Sequence, residues 1–189
     1  MPLVVFTAKH HGDQRGWFSE TFRADLFSSH LDKNFFVQDN QSLSCDKVTI
    51  RGLHYQVPPH PQAKLVRCLV GSIFDVAVDI RLGSPTYGQW IGVELSAENG
   101  KQLYIPIGFA HGFMTLAPDT MIFYKVTDYY APACDLGLAW NDMDIGIHWP
   151  LYGAQPILSA KDEKQTLLKD FQSPFAYDGR PMSLTEVVL

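Results

Sequence analysis

The chain has 189 residues, a length that fits one compact domain with a sizeable core. Its formal net charge of -5 disfavours nucleic acids and membranes as partners, because both are bound through clustered lysine and arginine. The three cysteines are odd in number and lack CxxC spacing, so neither a disulfide framework nor a zinc knuckle is indicated. No export signal or membrane-spanning stretch is predicted, and we expect a cytoplasmic protein.

In chain order, the pattern predicts a short helix over 23–31, then a series of strands, then a second helix over 160–171 with Ser159 as its N-cap. Turn residues separate β-branched and aromatic runs at short intervals, which is typical of an all-β sandwich or barrel. The tail after Pro174 is expected to be less regular, within a single domain spanning 1–189. The predicted strands are 65–70, 73–80, 91–95, 102–105 and 120–127.

The strand over 73–80 has the clearest pattern. Apolar residues occupy every second position from Phe74 to Ile80, and they alternate with Asp75, Ala77 and Asp79. Because successive side chains of a strand point to opposite faces, this alternation predicts one core face and one polar face.

Residues 104–113, YIPIGFAHGF, resemble the second motif of cupin barrels, PxGxxH, which ends here at His111. In metal-binding cupins an upstream strand supplies a HxH pair and a glutamate. Here the upstream positions read His54-Tyr55-Gln56, and the polar residue that follows is Lys64, a poor metal ligand. We therefore predict a jelly-roll or cupin-type β-sandwich barrel with short peripheral helices and no metal.

An acid-base site is indicated instead. His54 and Lys64 flank the turn VPPHPQA, so a hairpin would bring them together if their strands pair. An imidazole beside an ammonium stays neutral at physiological pH, which suits a general base. A fixed cation would stabilise the enolate left when a proton leaves a carbon next to a ketone. A tyrosine could return a proton to the opposite face if a nearby positive charge lowers its pKa.

Eight ordered segments between residues 12 and 162 are together similar to the dTDP-4-dehydrorhamnose 3,5-epimerase family. Any one of them would be weak evidence, but the ordered set is specific. They are DQRGWFSETFR (13–23), FVQDN (36–40), RGLHYQ (51–56), QAKLVR (62–67), FDVAVDIR (74–81), SPTYGQW (84–90), LSAEN (95–99) and LSAKD (158–162).

The resemblance implies a role for each matching residue. His54 would be the base, held by Asp162, while Lys64 would stabilise the enolate and Tyr124 would donate a proton. Tyr130 would stack on the thymine ring. The positions implied to contact the nucleotide-sugar are Arg15, Glu20, Gln38, Asp39, Asn40, Arg51, His111, Tyr130, Asp135 and Lys161.

The resemblance also implies a homodimer with shared active sites, in which Arg15 and Glu20 come from the partner subunit. Asp135, in the segment PACDLG, stands where the family often has glutamate. Its shorter side chain is expected to reach a contact only through water, or not at all.

Each residue has a structural alternative. A lone strand histidine such as His54 more often makes a structural hydrogen bond, and a lone lysine such as Lys64 is usually solvated. Tyr124 and Tyr130 could be strand aromatics that are half packed into a core. Asp162 could be a first-turn helix residue.

The spacing of Arg51 and His54 imposes a geometric condition. Residues three apart on a regular strand point to opposite faces. Both can line one cavity only if the strand bulges or bends, and Gly52 is the predicted place.

The implied reaction removes protons from C3 and C5 of dTDP-4-dehydro-6-deoxy-D-glucose and returns each to the opposite face, giving dTDP-4-dehydro-L-rhamnose. No redox or metal cofactor is required, since the 4-ketone acidifies both positions. One alternative is an epimerase that acts on a single carbon. Two others are a sugar-nucleotide-binding cupin without turnover and a metal-dependent cupin isomerase or oxygenase.

Overall fold

The structure is a computed structural model that describes residues 2–27 and 35–189. Its regular elements are mostly strands, joined by short turns. They are β1 Leu3–Thr7, β2 His11–Asp13, β3 Gly16–Phe18, α1 Ala24–Phe27, β4 Gln38–Ser44, β5 Ile50–Gln56, β6 Lys64–Val70, β7 Ser72–Asp79, β8 Trp90–Ser96, β9 Lys101–Ile105, β10 Phe109–Thr115, β11 Thr120–Val126, β12 Asp135–Gly137 and β13 Leu184–Val188.

Two sheets form a sandwich. The first has six strands in the order β13-β1-β9-β6-β11-β4, and the second has five in the order β12-β5-β10-β7-β8. Apolar side chains from the facing surfaces pack together, including Val66 and Leu103 from the first sheet and Ala77 and Phe113 from the second. The predicted all-β sandwich is therefore confirmed.

The outer face of the five-stranded sheet is also buried. Val76 and Val78 of β7 pack there against Trp149 and Phe175, which belong to the chain that follows β12. The prediction of a core face on β7 is confirmed, but its polar face does not meet solvent. That face points into the sandwich, where Asp75 and Asp79 are fully buried.

The prediction of a helix over 160–171 is wrong. Two short 3-10 helices, Asp162–Lys164 and Leu168–Asp170, stand in its place. Thr166 between them forms a β-bridge with Leu138, a tertiary contact that interrupts any continuous helix. The N-cap position of the first 3-10 helix is Lys161 and not Ser159, although the Ser159 Oγ accepts the Asp162 N–H at 3.1 Å.

The helix predicted over 23–31 is described as far as Phe27, and its remaining positions lie outside the described residues. The tail after Pro174 ends in a strand, since β13 pairs in parallel with β1 along the edge of the six-stranded sheet. In the described ranges, no helix is long and apolar enough to cross a membrane.

A buried ion pair at the end of β7 carries a stability prediction. Arg81 donates to both carboxylate oxygens of Asp79, at 2.9 and 2.7 Å, and Asp79 is fully buried. Replacing Arg81 by methionine leaves that carboxylate uncompensated, so we expect a loss of roughly 3–5 kcal/mol in urea unfolding. Arg180→Met removes an exposed cation from Asp178 and should cost less than about 1 kcal/mol. Equal losses in the free energy of unfolding for the two variants would contradict the stabilising role given to the buried Arg81–Asp79 pair.

Candidate active site

A cavity of about 450 Å³ opens between the two sheets. Its walls come from β5 and β10 on one side, from β4, β6 and β11 on the other, and from the segment around Ser159. Seven of the residues singled out from the sequence line it: Arg51, His54, Lys64, His111, Tyr124, Lys161 and Asp162.

A histidine–carboxylate pair lies in this cavity. His54 Nε2 lies 2.5 Å from Asp162 Oδ1, and Ser159 Oγ donates to the other carboxylate oxygen at 2.9 Å. A carboxylate only accepts hydrogen bonds, so it holds the imidazole proton on Nε2 and leaves a lone pair on Nδ1. Burial would raise the pKa of Asp162, but the hydrogen bonds from His54 and Ser159 outweigh it and lower the pKa.

Lys64 reaches His54 by a different route from the one expected. β5 and β6 do not pair as a hairpin but lie in opposite sheets of the sandwich. The Lys64 ammonium crosses the space between them and donates to the His54 carbonyl oxygen at 3.3 Å. Burial lowers the pKa of Lys64 to about 8, against the opposing effect of the Asp135 and Asp75 carboxylates.

Tyr124 lies on β11, between Asn40 of β4 and Val66 of β6. Burial raises its pKa, the Asp135 carboxylate adds to the rise, and Arg51 acts in the opposite direction. A nearby positive charge thus lowers the pKa of this tyrosine as expected, but burial and the Asp135 carboxylate outweigh it. The hydroxyl remains protonated at neutral pH, which is the state that a proton donor needs.

The bend predicted at Gly52 is present. The register between β5 and β10 shifts between the pairs His111–His54 and Phe113–Arg51, so two residues of β5, Gly52 and Leu53, lie opposite the single residue Gly112 of β10. Gly52 has a φ of +136°, and an added Cβ would lie 2.5 Å from the Gly112 Cα. Only glycine fits this close approach, which lets Arg51 and His54 line the same cavity.

A second histidine–carboxylate pair lies deeper in the sandwich. His111 Nε2 lies 2.7 Å from Asp75 Oδ1, and both side chains are buried. Burial lowers the pKa of His111 and outweighs the raising effect of Asp75. Sequence reasoning assigned no site role to Asp75. The sequence feature that pointed to such a role is a carboxylate within a largely apolar strand, because a carboxylate that becomes buried needs a partner.

A network of hydrogen bonds beside the cavity links Lys161 to four further predicted residues, which do not line the cavity. Asp135 Oδ2 accepts from Lys161 Nζ at 2.6 Å and from the Tyr130 hydroxyl at 3.1 Å. The aspartate thus makes direct contacts with both side chains, despite being shorter than glutamate. Next to it, Gln38 Oε1 accepts the Tyr130 N–H at 3.0 Å, and Gln38 Nε2 donates to Asn40 Oδ1 at 2.8 Å.

Three predicted residues are not brought to the cavity. Arg15, in the turn between β2 and β3, is exposed and pairs with Asp13 at 2.5 Å. Glu20 is exposed as well. Asp39 lies on the opposite face of β4 from Gln38 and Asn40, since side chains alternate along a strand, and it accepts from Lys125 Nζ at 2.9 Å.

Within residues 2–27 and 35–189, no three His, Cys, Asp or Glu side chains lie together in a position to hold a metal ion. The cavity presents the His54–Asp162 pair, the His111 imidazole, the Lys64 ammonium and the protonated phenol of Tyr124. These side chains can transfer protons and stabilise an anion.

Fold and cavity together define a class of protein, a cupin-type β-sandwich enzyme with an acid-base site. The sequence pattern of the dTDP-4-dehydrorhamnose 3,5-epimerase family matches residues 2–170. The chain therefore belongs to this family and is an enzyme of the isomerase class.

Individual relatives agree with this membership. A dTDP-4-dehydrorhamnose 3,5-epimerase of Sinorhizobium fredii is 54% identical, covering 93% of this chain and 89% of that protein. The crystal structure of a dTDP-6-deoxy-D-glucose-3,5-epimerase from Legionella pneumophila, in complex with dTDP-4-keto-L-rhamnose, has a TM-score of 0.87 and 44% identity, covering 94% of this chain and 100% of that one. A dTDP-4-dehydrorhamnose 3-epimerase of Streptomyces niveus is 34% identical, covering 87% of this chain and 78% of that protein.

Proposed function

We propose that the protein epimerises dTDP-4-dehydro-6-deoxy-D-glucose at C3 and C5 to give dTDP-4-dehydro-L-rhamnose, in dTDP-L-rhamnose biosynthesis. One observation carries the proposal: His54 and Tyr124 line a single cavity from opposite sheets. A base and a proton donor on opposite walls can reach opposite faces of the same carbon. Inversion of a carbon centre requires that arrangement.

In the first step, the Nδ1 lone pair of His54 takes the proton from C3 or C5. The electrons of the broken C–H bond move into the ring and onto the 4-keto oxygen, giving an enolate. The Lys64 ammonium is the buried cation of the cavity and stabilises that oxygen as its charge develops. Asp162 holds the imidazole in place and stabilises its protonated form.

In the second step, the Tyr124 hydroxyl donates its proton to the opposite face of the carbon. The enolate collapses to the ketone, and the configuration at that carbon is inverted. The phenolate that remains then regains a proton, and His54 releases its own to solvent. The same cycle repeats at the other carbon, since both are adjacent to the 4-ketone, and no cofactor takes part.

The nucleotide-sugar is proposed to lie along the cavity and its polar rim. Arg51, His111 and Lys161 would contact it from the cavity, with Gln38, Asn40 and Tyr130 at the rim. Asp135 would act by holding Lys161 and Tyr130 in position. In a cytoplasmic homodimer, Arg15 and Glu20 of one subunit would complete the site of the other, and Asp39 is left out of this site.

An epimerase that acts at C3 alone is the second candidate, favoured by the 34% identity to the 3-epimerase of Streptomyces niveus. Product analysis separates the two. After incubation with the proposed substrate, borohydride reduction and hydrolysis should yield L-rhamnose and 6-deoxy-L-talose. Sugars inverted only at C3 would support the second candidate, and unchanged 6-deoxy-D-glucose and D-fucose would contradict both.

The pKa of Lys64 predicts the alkaline limit of activity. With a pKa of about 8, the side chain is an ammonium below that pH and loses its proton as the pH rises through it. We expect kcat/KM to fall above a pH of about 8, because the neutral amine stabilises an enolate less well. A Lys64→Arg variant keeps its charge throughout and should lose this limb, whatever its absolute rate. If kcat/KM of that variant fell in the same way at alkaline pH, a group other than Lys64 would be responsible for the fall.

A further inference from the structure

Gln56, at the end of the His54-Tyr55-Gln56 segment, has no part in the proposed reaction. It is the last residue of β5 and is only 4% exposed, yet it does not line the cavity. Its side-chain amide makes three hydrogen bonds, all to the backbone. Nε2 donates to the carbonyl oxygens of His60 at 2.7 Å and Tyr129 at 3.2 Å, and Oε1 accepts the Ala131 N–H at 2.8 Å.

Two of these bonds lie on either side of Tyr130. The carbonyl of the preceding residue and the N–H of the following residue are both held by the same amide. The Tyr130 residue itself is 56% exposed, so packing does little to hold its ring in place. Besides the bond from its hydroxyl to Asp135 at 3.1 Å, the position of the ring therefore depends on the backbone bonds around it.

The chemistry of the group fits this task. An amide side chain offers two N–H donors and one carbonyl acceptor, which match two backbone carbonyls and one backbone N–H. A neutral histidine, the residue that metal-binding cupins place here, has one donor and one acceptor. It could not satisfy all three groups.

We propose that Gln56 is a positioning residue that fixes the loop carrying Tyr130 and thereby sets the affinity for the nucleoside diphosphate part of the substrate. The inference rests on the proposed function, in which Tyr130 contacts the base. The inference predicts an effect on substrate binding and not on proton transfer, because the Gln56 amide contacts the loop around Tyr130 and not the reacting carbons.

The test uses Gln56→Met, which keeps the length of the side chain and removes all three bonds. Calorimetric titration with dTDP should give a Kd raised about tenfold, the size expected for a misplaced aromatic contact to a base. The KM for the sugar nucleotide should rise in parallel, while kcat stays within about threefold of wild type. Gln56→Glu keeps the size and the acceptor but loses the donated bonds, and serves if the methionine variant does not fold.

Two controls separate positioning from general destabilisation. Thr120→Val removes a buried hydroxyl that donates to the Ala117 carbonyl at the far end of β11, and it should leave the Kd within about twofold of wild type. In the double variant Gln56→Met with Tyr130→Ala, the Kd should match that of Tyr130→Ala alone within about twofold, because the amide acts through the ring.

A Kd for dTDP that is unchanged in Gln56→Met, or effects that multiply in the double variant, would overturn the inference while leaving the proposed function intact. A fall in kcat at constant Kd would do the same. A wild-type protein that does not bind dTDP at all would overturn the proposed function, and this inference with it.

Discussion

A His54→Asn variant is expected to lose kcat by about 10²–10⁴-fold, the usual contribution of a positioned general base. The asparagine side chain is polar but smaller and has no basic nitrogen, so the base assigned to the reacting carbon is lost. Steady-state kinetics with dTDP-4-dehydro-6-deoxy-D-glucose measure the effect. The Kd for dTDP should change little, because His54 is placed at the reacting carbon and not at the nucleotide.

The matched control is His148→Asn, which changes an exposed histidine that stacks edge-on against Trp90 outside the cavity. It should leave kcat unchanged. If His54→Asn retains most of its activity, the assignment of the base is wrong.

A Tyr124→Phe variant should uncouple proton removal from inversion. The base is intact, so the enolate still forms, but the hydroxyl that supplies the opposite face is gone. We expect epimerised product to form about 10²–10⁴-fold more slowly, the range for a lost general acid. Recovered starting sugar should still gain deuterium in heavy water, since protonated His54 can exchange its proton with the solvent and return a deuteron to the original face.

The control for this variant is Tyr152→Phe, which removes the hydroxyl of a tyrosine that is 95% exposed. It should behave as wild type in both measurements. Parallel loss of exchange and product in Tyr124→Phe would instead assign Tyr124 a role in proton removal.

The strands could be predicted from sequence because their patterns are local. Alternation in β7 and turn residues between strands placed the ends of the five predicted strands within one residue of the ends of β6, β7, β8, β9 and β11, whereas no bounds were predicted for the other strands. Segment 160–171 was different, since its helical pattern competed with the Asp162–His54 hydrogen bond and the bridge at Thr166. Tertiary contacts of this kind are not encoded in local periodicity.

The candidate site was predictable in its residues but not in its geometry. The segment around His54 and Lys64 suggested a hairpin, whereas the two strands lie in opposite sheets and the ammonium crosses between them. Asp75 was missed because its alternation indicated a solvent-facing side chain, and only the second layer over the outer face of β7 shows that both faces are buried. Gly52 was the exception, because the spacing of Arg51 and His54 requires a bend there if both are to line one cavity.

The most direct test of the central claim is NMR of dTDP-4-dehydro-6-deoxy-D-glucose incubated with the wild-type protein in heavy water. A base and a donor on opposite walls of one cavity predict a product with inverted configuration and deuterium at both C3 and C5. Deuterium at C3 alone would restrict the enzyme to a single carbon. No exchange at either position would contradict the account and leave a protein that binds sugar nucleotides without turning them over.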